Sequence, residues 1–264
     1  MCPPNHFDIE YEINPWMHVD DPVSPERAAA QWEGLYHLYT KVLGWQVALI
    51  EPVPHLPDMV FTANGALVMG DRVALPRFRQ PERQGETEHF AAWFRDRGFK
   101  TCVQPRHDFE GEGDALRWND VLFAGYPWRS DKPAHAELAQ FFGVEVVSLQ
   151  LTDARFYHLD TALTIVDERT VALYPPAFTE ASLEAVYRRV PRVVEASEAD
   201  ALGYGLNAVS DGHHIVLSDR APELAATYAA LGMTVHPMPI SEFQKSGGGM
   251  KCLTLDVRNG GASR

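Results

Sequence analysis

The chain is poor in cysteine and has no long apolar run. Its 264 residues include only Cys2, Cys102 and Cys252, an odd and sparse set that does not match a disulfide framework and is typical of a reducing compartment. No apolar run approaches the ~20 residues that span a bilayer, and the first residues lack the basic and apolar regions of a signal peptide. We therefore expect a cytoplasmic protein that has no membrane partner.

Basic residues are also scarce, and metal-ligand motifs are lacking. Lysine and arginine total 23 against 36 acidic residues, giving a formal charge of −13. Without a basic stripe to bind phosphates, a nucleic-acid partner is not expected. No histidine and cysteine spacing typical of a zinc site is found, and His213 and His214 would lie on opposite faces of a strand. The sequence therefore predicts no metal.

What the chain does have is enough apolar residues for a large core and a repeating pattern of elements. The apolar fraction is 45%, which is ample for a globular fold. Hairpin patterns open near residues 65, 115, 161, 208 and 253, a spacing of roughly 45–50 residues that is typical of a repeated supersecondary unit. Each unit is predicted to contain a hairpin, a helix and a closing strand.

Four of these units follow one another along the chain. The predicted hairpins cover 66–75, 115–125, 161–174 and 208–217, the helices 85–97, 133–142, 179–188 and 221–231, and the closing strands 99–103, 144–149, 192–195 and 234–237. Glycine, aspartate and asparagine at the hairpin tips are the residues that tight turns prefer. The pattern therefore predicts an α/β fold of repeated small sheets.

A fifth unit is predicted to join the two chain ends. Residues 253–257 would begin its hairpin, the alternating segment 7–13 would complete it, and residues 25–43 and 45–50 would supply its helix and closing strand. Such closure would make a ring, which hides the strand edges that an open array exposes. No linker interrupts the pattern, so residues 1–264 are predicted to form a single domain.

The heads of the five hairpins carry four polar residues and a cysteine. They are Asn64, Asp114, Asp160, Asn207 and Cys252. If the units surround an axis, these side chains meet at one end and line a central pocket. The alternative is that asparagine and aspartate only cap strand ends as turn residues, and it stays open for Asp114 and Asn207.

A glycine-rich turn precedes the cysteine. The segment 246–252 reads Ser-Gly-Gly-Gly-Met-Lys-Cys, with Lys245 just before it. Successive glycines allow a ligand to approach the main chain closely, and Lys245 and Lys251 would favour the thiolate of Cys252. The alternative is a flexible turn before an edge strand, with an inert buried cysteine.

Two further segments carry acid–base chemistry. His158 and Asp160 are predicted to lie on one face of a strand, where a histidine beside an aspartate can serve as the acid and base of thiol catalysis. The loop 109–114 holds three carboxylates separated by glycines. A cationic substrate fits this loop better than a metal ion, because no histidine or cysteine ligands accompany it.

Four segments together resemble the guanidino-group-modifying enzymes, a superfamily that includes arginine deiminase, dimethylarginine dimethylaminohydrolase and the amidinotransferases. They are 57–64, 109–114, 158–160 and 246–252, in the order that the family has them and over nearly the whole chain. The resemblance implies a five-bladed α/β propeller, the pentein fold, built from five pseudo-symmetric modules. It also implies a small guanidino or ureido substrate and neither a metal nor an organic cofactor.

The resemblance also implies roles for individual residues. Cys252 resembles the nucleophile and His158 the general acid and base, while Glu110 and Asp160 resemble the carboxylates that hold the guanidinium. Arg83 and Arg129 resemble the arginines that bind the substrate α-carboxylate, although surface arginines are the alternative. The further substrate-binding residues are Asn14, Asp58, Asn64 and Ser246.

Asn64 departs from the usual pattern. Deiminases and dimethylarginine enzymes carry an aspartate there, and the preceding residue is Ala63. Less negative charge accommodates a neutral ureido group, and together with Asn14 this resembles the arginine dihydrolase domains, which convert arginine to ornithine, carbon dioxide and two ammonia molecules. The alternatives are a deiminase or dimethylargininase that stops at citrulline, an amidinotransferase, and a non-catalytic guanidinium-binding module. The sequence is also compatible with a homo-oligomer.

Overall fold

The computed structural model describes residues 1–257, which form a mixed α/β fold with four three-stranded sheets. In each sheet an antiparallel hairpin is extended by a third strand that runs parallel to the second. The strands are β1 (Leu67–Met69), β2 (Arg72–Ala74) and β3 (Thr101–Val103); β4 (Ala115–Trp118), β5 (Val121–Tyr126) and β6 (Glu145–Gln150); β7 (Leu163–Ile165), β8 (Thr170–Leu173) and β9 (Arg192–Glu195); and β10 (Val209–Ser210), β11 (His214–Ser218) and β12 (Thr234–Met238).

Helices connect the second and third strands, because a parallel pair needs a crossover. The helices are α1 (Pro25–His37), α2 (Glu86–Asp96), α3 (Gly111–Asp114), α4 (Lys132–Phe142), α5 (Leu159–Ala162), α6 (Glu180–Tyr187), α7 (Glu198–Leu202), α8 (Pro222–Ala230) and α9 (Ser241–Gln244). The four crossovers are α2, α4, α6 and α8, each between the last two strands of its sheet. The four predicted hairpin, helix and strand units are therefore confirmed. No helix within residues 1–257 is long and apolar enough to cross a membrane.

Local signals explain where these elements begin and end. Ser24 accepts a hydrogen bond from the backbone of Arg27 at the start of α1, and Thr179 caps α6 in the same way. Gly143 ends α4 in the left-handed conformation, at φ 73°. The central strands are buried on both faces, so they read as continuous apolar runs such as Ile215–Val216–Leu217, all fully buried.

The fifth unit differs from the prediction. Its helix is present as α1, followed by a π-helical turn at Leu38–Val42, but residues 7–13, 45–50 and 253–257 are not strands and the described residues form no fifth sheet. Local turns use the backbone groups instead: Leu253 N donates to Gly249 O at 3.2 Å. Phe7 and Leu253 still pack with side chains of α1 and α9 in one apolar cluster, which includes Phe243.

The heads of the hairpins meet at one end of the fold. Short helical turns precede β1, β4 and β7, and they carry the polar head residues inward. Five hydrogen bonds link the heads in a closed circuit. They run from Asn64 Nδ2 to Glu110 O (3.4 Å), Leu159 N to Asp114 Oδ1 (3.1 Å), Asn207 Nδ2 to Asp160 O (3.1 Å), Cys252 N to Asn207 Oδ1 (3.1 Å) and Ala63 N to Cys252 O (3.1 Å). This circuit surrounds the candidate site.

Candidate active site

Cys252 lies in the turn that closes this circuit, with 2% of its surface exposed. The preceding glycines permit the approach of neighbouring groups: a Cβ on Gly248 would lie 2.1 Å from the ring of Phe61. Gly247 also has a positive φ of 78°, which a larger residue adopts only with strain. The glycine turn is therefore a closely packed wall of the site. The alternative of a turn before an edge strand is wrong, because residues 253–257 form no strand.

The two lysines near the thiol do not act as the sequence suggests. Lys245 binds Asp21 and the carbonyl of Pro22, and Lys251 pairs with Glu112. Burial raises the pKa of Cys252 well above its usual range, and the nearby Asp160 raises it further. The resting site therefore favours the thiol, and positive charge beside the sulfur would favour the thiolate.

His158 and Asp160 are not on a strand. His158 precedes the short helix α5, because the backbone and hydroxyl of Thr161 both donate to the His158 carbonyl and close a turn. The two side chains consequently have different partners. Asp160 Oδ2 lies 3.4 Å from Cys252 Sγ, while His158 Nε2 lies 2.8 Å from Glu110 Oε2. The prediction of a shared strand face is wrong, although both residues are in the site.

Glu110 is a fully buried carboxylate between the guanidinium of Arg129 and the imidazole of His158. Its Oε2 accepts from Arg129 Nη1 at 3.0 Å and faces the His158 ring. Burial alone raises the pKa of Glu110, but Arg129 and the hydrogen bond from His158 outweigh it and lower that pKa to about 2. Glu110 is therefore ionised, and the His158 nitrogen that faces it carries a proton.

A second cluster fixes the orientation of Asn64. Arg83 donates to Asn64 Oδ1 at 2.9 Å and forms a two-point ion pair with Glu86 at 2.7 and 2.9 Å. Because arginine is only a donor, the amide oxygen of Asn64 must face Arg83. The amide nitrogen then faces the Glu110 carbonyl, 3.4 Å away. On the side that faces Glu110, Asn64 thus presents its N–H donors rather than its carbonyl acceptor.

Both arginines are buried, so the alternative that they are surface residues is wrong. Arg83 and Arg129 are each 3% exposed. Besides Asn64 and Glu86, Arg83 donates to the carbonyl of Asp58 at 3.1 Å, and Arg129 donates to the carbonyl of Ile13 at 3.1 Å. Their role in binding a substrate carboxylate stays a prediction.

Segment 10–22 covers this cluster and connects it to the glycine turn. Tyr11 donates to Asp58 Oδ2 at 3.1 Å, and Ser246 Oγ lies 3.4 Å from Asp58 Oδ1. The Asn14 amide donates to the Ser246 carbonyl at 3.1 Å, and Trp16 donates to the carbonyl of Arg155 at 2.8 Å. All the predicted substrate-binding residues therefore lie in one enclosed region.

Sequence reasoning missed several residues of this region. Tyr157 donates to the Gly247 carbonyl at 2.6 Å and stacks on Arg129, and Glu86 neutralises Arg83. Their signals were present, because Tyr157 adjoins His158 and Glu86 follows Arg83 at the i,i+3 spacing of an ion pair. Asn207, left open as a turn residue, contacts the thiol directly.

A group that could bind a metal ion lies on the surface. Within residues 1–257, Glu12, His18 and Asp20 are the one set of three whose ligand atoms come close enough together. All three are exposed, whereas the side chains around Cys252 are buried. These three residues are therefore separate from the buried cluster around Cys252.

Asp160→Asn is expected to stabilise the fold in a pH-dependent way. Burial raises the pKa of Asp160 from 3.8 to about 7, against smaller opposing contributions from Lys251 and hydrogen bonds. Between pH 3.8 and about 7 the folded state therefore binds more protons than the unfolded state. The protonated Asp160 stabilises the fold fully below pH 3.8, and this stabilisation is lost as the pH rises to about 7. In Asp160→Asn the amide does not titrate, so stability is not lost at this position as the pH rises. Its melting temperature should exceed that of the wild type by a few degrees at about pH 8, and the gap should shrink toward about pH 4.

Melting curves across this range, with the exposed Asp96→Asn as a control, test the assignment. A melting-temperature difference between Asp160→Asn and wild type that does not vary with pH would contradict it.

Comparisons with known proteins identify a matching family and several similar proteins. The model of the arginine deiminase family matches residues 26–192. An N(G),N(G)-dimethylarginine dimethylaminohydrolase of Mycobacterium tuberculosis is 47% identical over 97% of this chain and 84% of its own length. The bifunctional arginine dihydrolase/ornithine cyclodeaminase ArgZ of Synechocystis is 42% identical over 97% of this chain, which spans 37% of that relative.

Solved structures of related proteins are similar to this fold. The N-terminal domain of ArgZ bound to product, described as an arginine dihydrolase, has a TM-score of 0.91 at 42% identity and covers 98% of this chain and 96% of its own. A dimethylarginine dimethylaminohydrolase has a TM-score of 0.78 at 18% identity, covering 88% of this chain and 89% of its own, which shows likeness of fold alone.

Proposed function

The chain belongs to the arginine deiminase family of guanidino-group hydrolases, and from this premise we propose that it hydrolyses the guanidinium of free L-arginine through a covalent intermediate on Cys252. The observation that carries the proposal is a pair of carboxylate oxygens. Glu110 Oε1 and Asp160 Oδ1 are both buried and have no hydrogen-bond partner among residues 1–257. A guanidinium, with five N–H donors in one plane, would satisfy both oxygens.

Such binding also explains how the thiol is activated. Asp160 lies 3.4 Å from Cys252 Sγ, so a guanidinium held by its free oxygen places positive charge beside the sulfur. That charge offsets the burial and the Asp160 charge that raise the pKa of Cys252. The substrate would thus help to create the thiolate that attacks it.

The proposed first hydrolysis proceeds in two steps. The Cys252 thiol gives its proton to His158, the thiolate bonds to the guanidinium carbon, and the C–N bond breaks as His158 passes this proton to the departing ammonia. Because His158 Nε2 faces Glu110, proton transfer falls to Nδ1. Water then attacks the thiouronium carbon as His158 takes one of its protons. The C–S bond breaks as the remaining hydroxyl proton passes to the sulfur, which releases citrulline and restores the Cys252 thiol, and His158 returns its proton to solvent.

We propose that citrulline is then processed in the same way. Its ureido oxygen needs a donor, and the amide nitrogen of Asn64 is turned away from Arg83 and can provide one. An aspartate there would instead set a carboxylate against a neutral group. Attack on the ureido carbon releases a second ammonia, and hydrolysis of the resulting thiocarbamate gives carbon dioxide and ornithine. The minimum reaction is therefore arginine to citrulline and ammonia, and the proposed full reaction is that of an arginine dihydrolase.

A dimethylargininase that stops at citrulline is the second candidate. It is favoured by the 47% identity to a relative of that name. The chemistry at Cys252, His158 and Glu110 would be the same, with dimethylamine as the leaving group. The two candidates differ in the leaving group and in whether citrulline is consumed, so product analysis separates them.

The proposal extends to the architecture and setting of the enzyme. We propose one domain over residues 1–264 and a five-bladed propeller in which the joined chain ends make the fifth module. The closed circuit of five hydrogen bonds among the hairpin heads supports this count, although the fifth module has no sheet in the described residues. The free cysteines support a reducing, cytoplasmic setting.

Separate incubations with arginine, citrulline and asymmetric dimethylarginine test the proposed function. We expect two ammonia molecules and one ornithine for each arginine consumed, and ornithine from citrulline alone. Citrulline that accumulates with one ammonia for each arginine would contradict the dihydrolase. Dimethylamine and citrulline from dimethylarginine, faster than any product from arginine, would establish the second candidate instead.

A further inference from the structure

Asn207 holds the proposed nucleophile from two sides. It lies just before β10, fully buried, 45 residues from Cys252 in sequence. Its amide oxygen accepts from the backbone N–H of Cys252 at 3.1 Å, and its amide nitrogen lies 3.1 Å from Cys252 Sγ. The same nitrogen donates to the carbonyl of Asp160 at 3.1 Å. One side chain therefore contacts both the backbone and the sulfur of the cysteine.

The orientation of this amide follows from its partners. Oδ1 faces a backbone N–H, which can only donate, and Nδ2 faces the Asp160 carbonyl, which can only accept. A flipped amide would set donor against donor and acceptor against acceptor. The sulfur of Cys252 is consequently faced by an N–H group in either protonation state.

Packing prevents the amide from moving away. A Cβ on Gly249 would lie 2.6 Å from Asn207 Oδ1 and 3.1 Å from its Cβ. The backbone of Asn207 is held as well, since its N–H donates to Tyr204 O at 3.2 Å and its carbonyl accepts from Lys251 N at 3.3 Å. The donor is thus in place before any substrate arrives, and it needs no rearrangement during the reaction.

The surroundings of the sulfur explain why a neutral donor suits this position. The titratable groups that face Cys252 are the Asp160 carboxyl and the hydroxyls of Tyr157 and Tyr204. The ammonium of the adjacent Lys251 is paired with Glu112 instead. A cationic side chain in place of Asn207 would compete with the substrate for the free oxygen of Asp160. An amide stabilises the sulfur anion without that competition.

We propose that Asn207 is a further catalytic residue of this site, whose amide N–H positions Cys252 Sγ and stabilises it as the thiolate. The proposal rests on the proposed function, because it takes Cys252 as the nucleophile. A hydrogen bond to an anion is roughly twice as strong as one to a neutral group, so the Asn207 contact strengthens when the thiol ionises. The burial that raises the pKa of Cys252 makes this donor more important.

The test is alkylation of Cys252 by iodoacetamide over a range of pH, followed by mass spectrometry of the peptide that contains it. This readout needs no substrate and separates Cys252 from Cys2 and Cys102. Asn207→Asp keeps the shape and replaces the donor with an acceptor, and Asn207→Ala removes both contacts. Asn119→Asp, an exposed asparagine at a hairpin tip, is the matched control.

We expect the midpoint pH of alkylation to rise by about one unit or more in Asn207→Asp. With substrate, kcat should fall about 100-fold while KM stays within about threefold, since the lost contact is to the nucleophile. The control should match wild type in both. If Asn207→Asp does not fold, the same upward shift in Asn207→Ala supports the proposal.

An alkylation profile that is unchanged in folded variants overturns the proposal, even if the melting temperature falls, because a purely structural role would lower stability alone. Failure of the proposed function has a different signature. In that case wild type consumes neither arginine nor dimethylarginine, while the alkylation shift in the Asn207 variants is still measured.

Discussion

Cys252→Ser is expected to abolish guanidinium hydrolysis, with kcat reduced by about 10³-fold or more. A serine hydroxyl is much harder to ionise than a thiol, and here it would be buried and face the Asp160 carboxyl. The substitution is nearly isosteric, so the melting temperature should change by only about 2 °C. Ammonia release and thermal unfolding measure the two quantities on the same sample.

Cys102→Ser is the matched control, because Cys102 is on β3 and is partly exposed. It should keep the wild-type rate. Mass spectrometry adds a positive result: a covalent adduct should form on Cys252 in the wild type during turnover and be missing in Cys252→Ser. Turnover at the wild-type rate in Cys252→Ser would refute the covalent mechanism.

Glu110→Gln is expected to damage both activity and stability. The amide would lose the carboxylate that holds His158 and Arg129, and it would offer the substrate guanidinium one neutral acceptor in place of a charge. We expect kcat/KM to fall about 10³-fold. Leaving the buried Arg129 without its counter-ion should cost about 3–5 kcal/mol in the free energy of unfolding. Steady-state kinetics and urea unfolding measure the two effects.

The matched control for this variant is Glu145→Gln, which removes the exposed partner of Arg189. An exposed pair of this kind contributes about 0–1 kcal/mol, so the control should show little change in stability and none in rate. Equal destabilisation by the two substitutions would mean that the Arg129–Glu110 pair does not behave as a buried one.

The hairpin modules were predictable because their signals are local. Turn residues such as Asn119, which adopts a left-handed φ of 52°, mark the tips, and apolar runs mark the buried strands. The fifth module was not predictable in the same way. Alternation over residues 7–13 indicates which side chains are buried but not which strand would supply hydrogen bonds, and the backbone there makes none of the predicted ladder.

The candidate site was also predictable only in part. Its residue types were recognisable from the motifs, but their pairings join segments far apart in the chain. His158 contacts Glu110 across 48 residues and Asn207 contacts Cys252 across 45, and no spacing rule within one element reaches that far. The helical turn at α5, set by Thr161, also changed which way His158 points relative to Asp160.

The ion pair between Arg129 and Glu110 has a consequence for substrate recognition. Both side chains are buried, and the protein's own guanidinium contacts the carboxylate that would hold the substrate. In the proposed binding mode, free arginine brings a guanidinium for the free oxygen of Glu110 and an α-carboxylate for Arg129, so that no charge is left without a partner. A guanidine that lacks the carboxylate would bring only one of these two charges. Selection for the whole amino acid would then be a matter of charge balance as much as of shape.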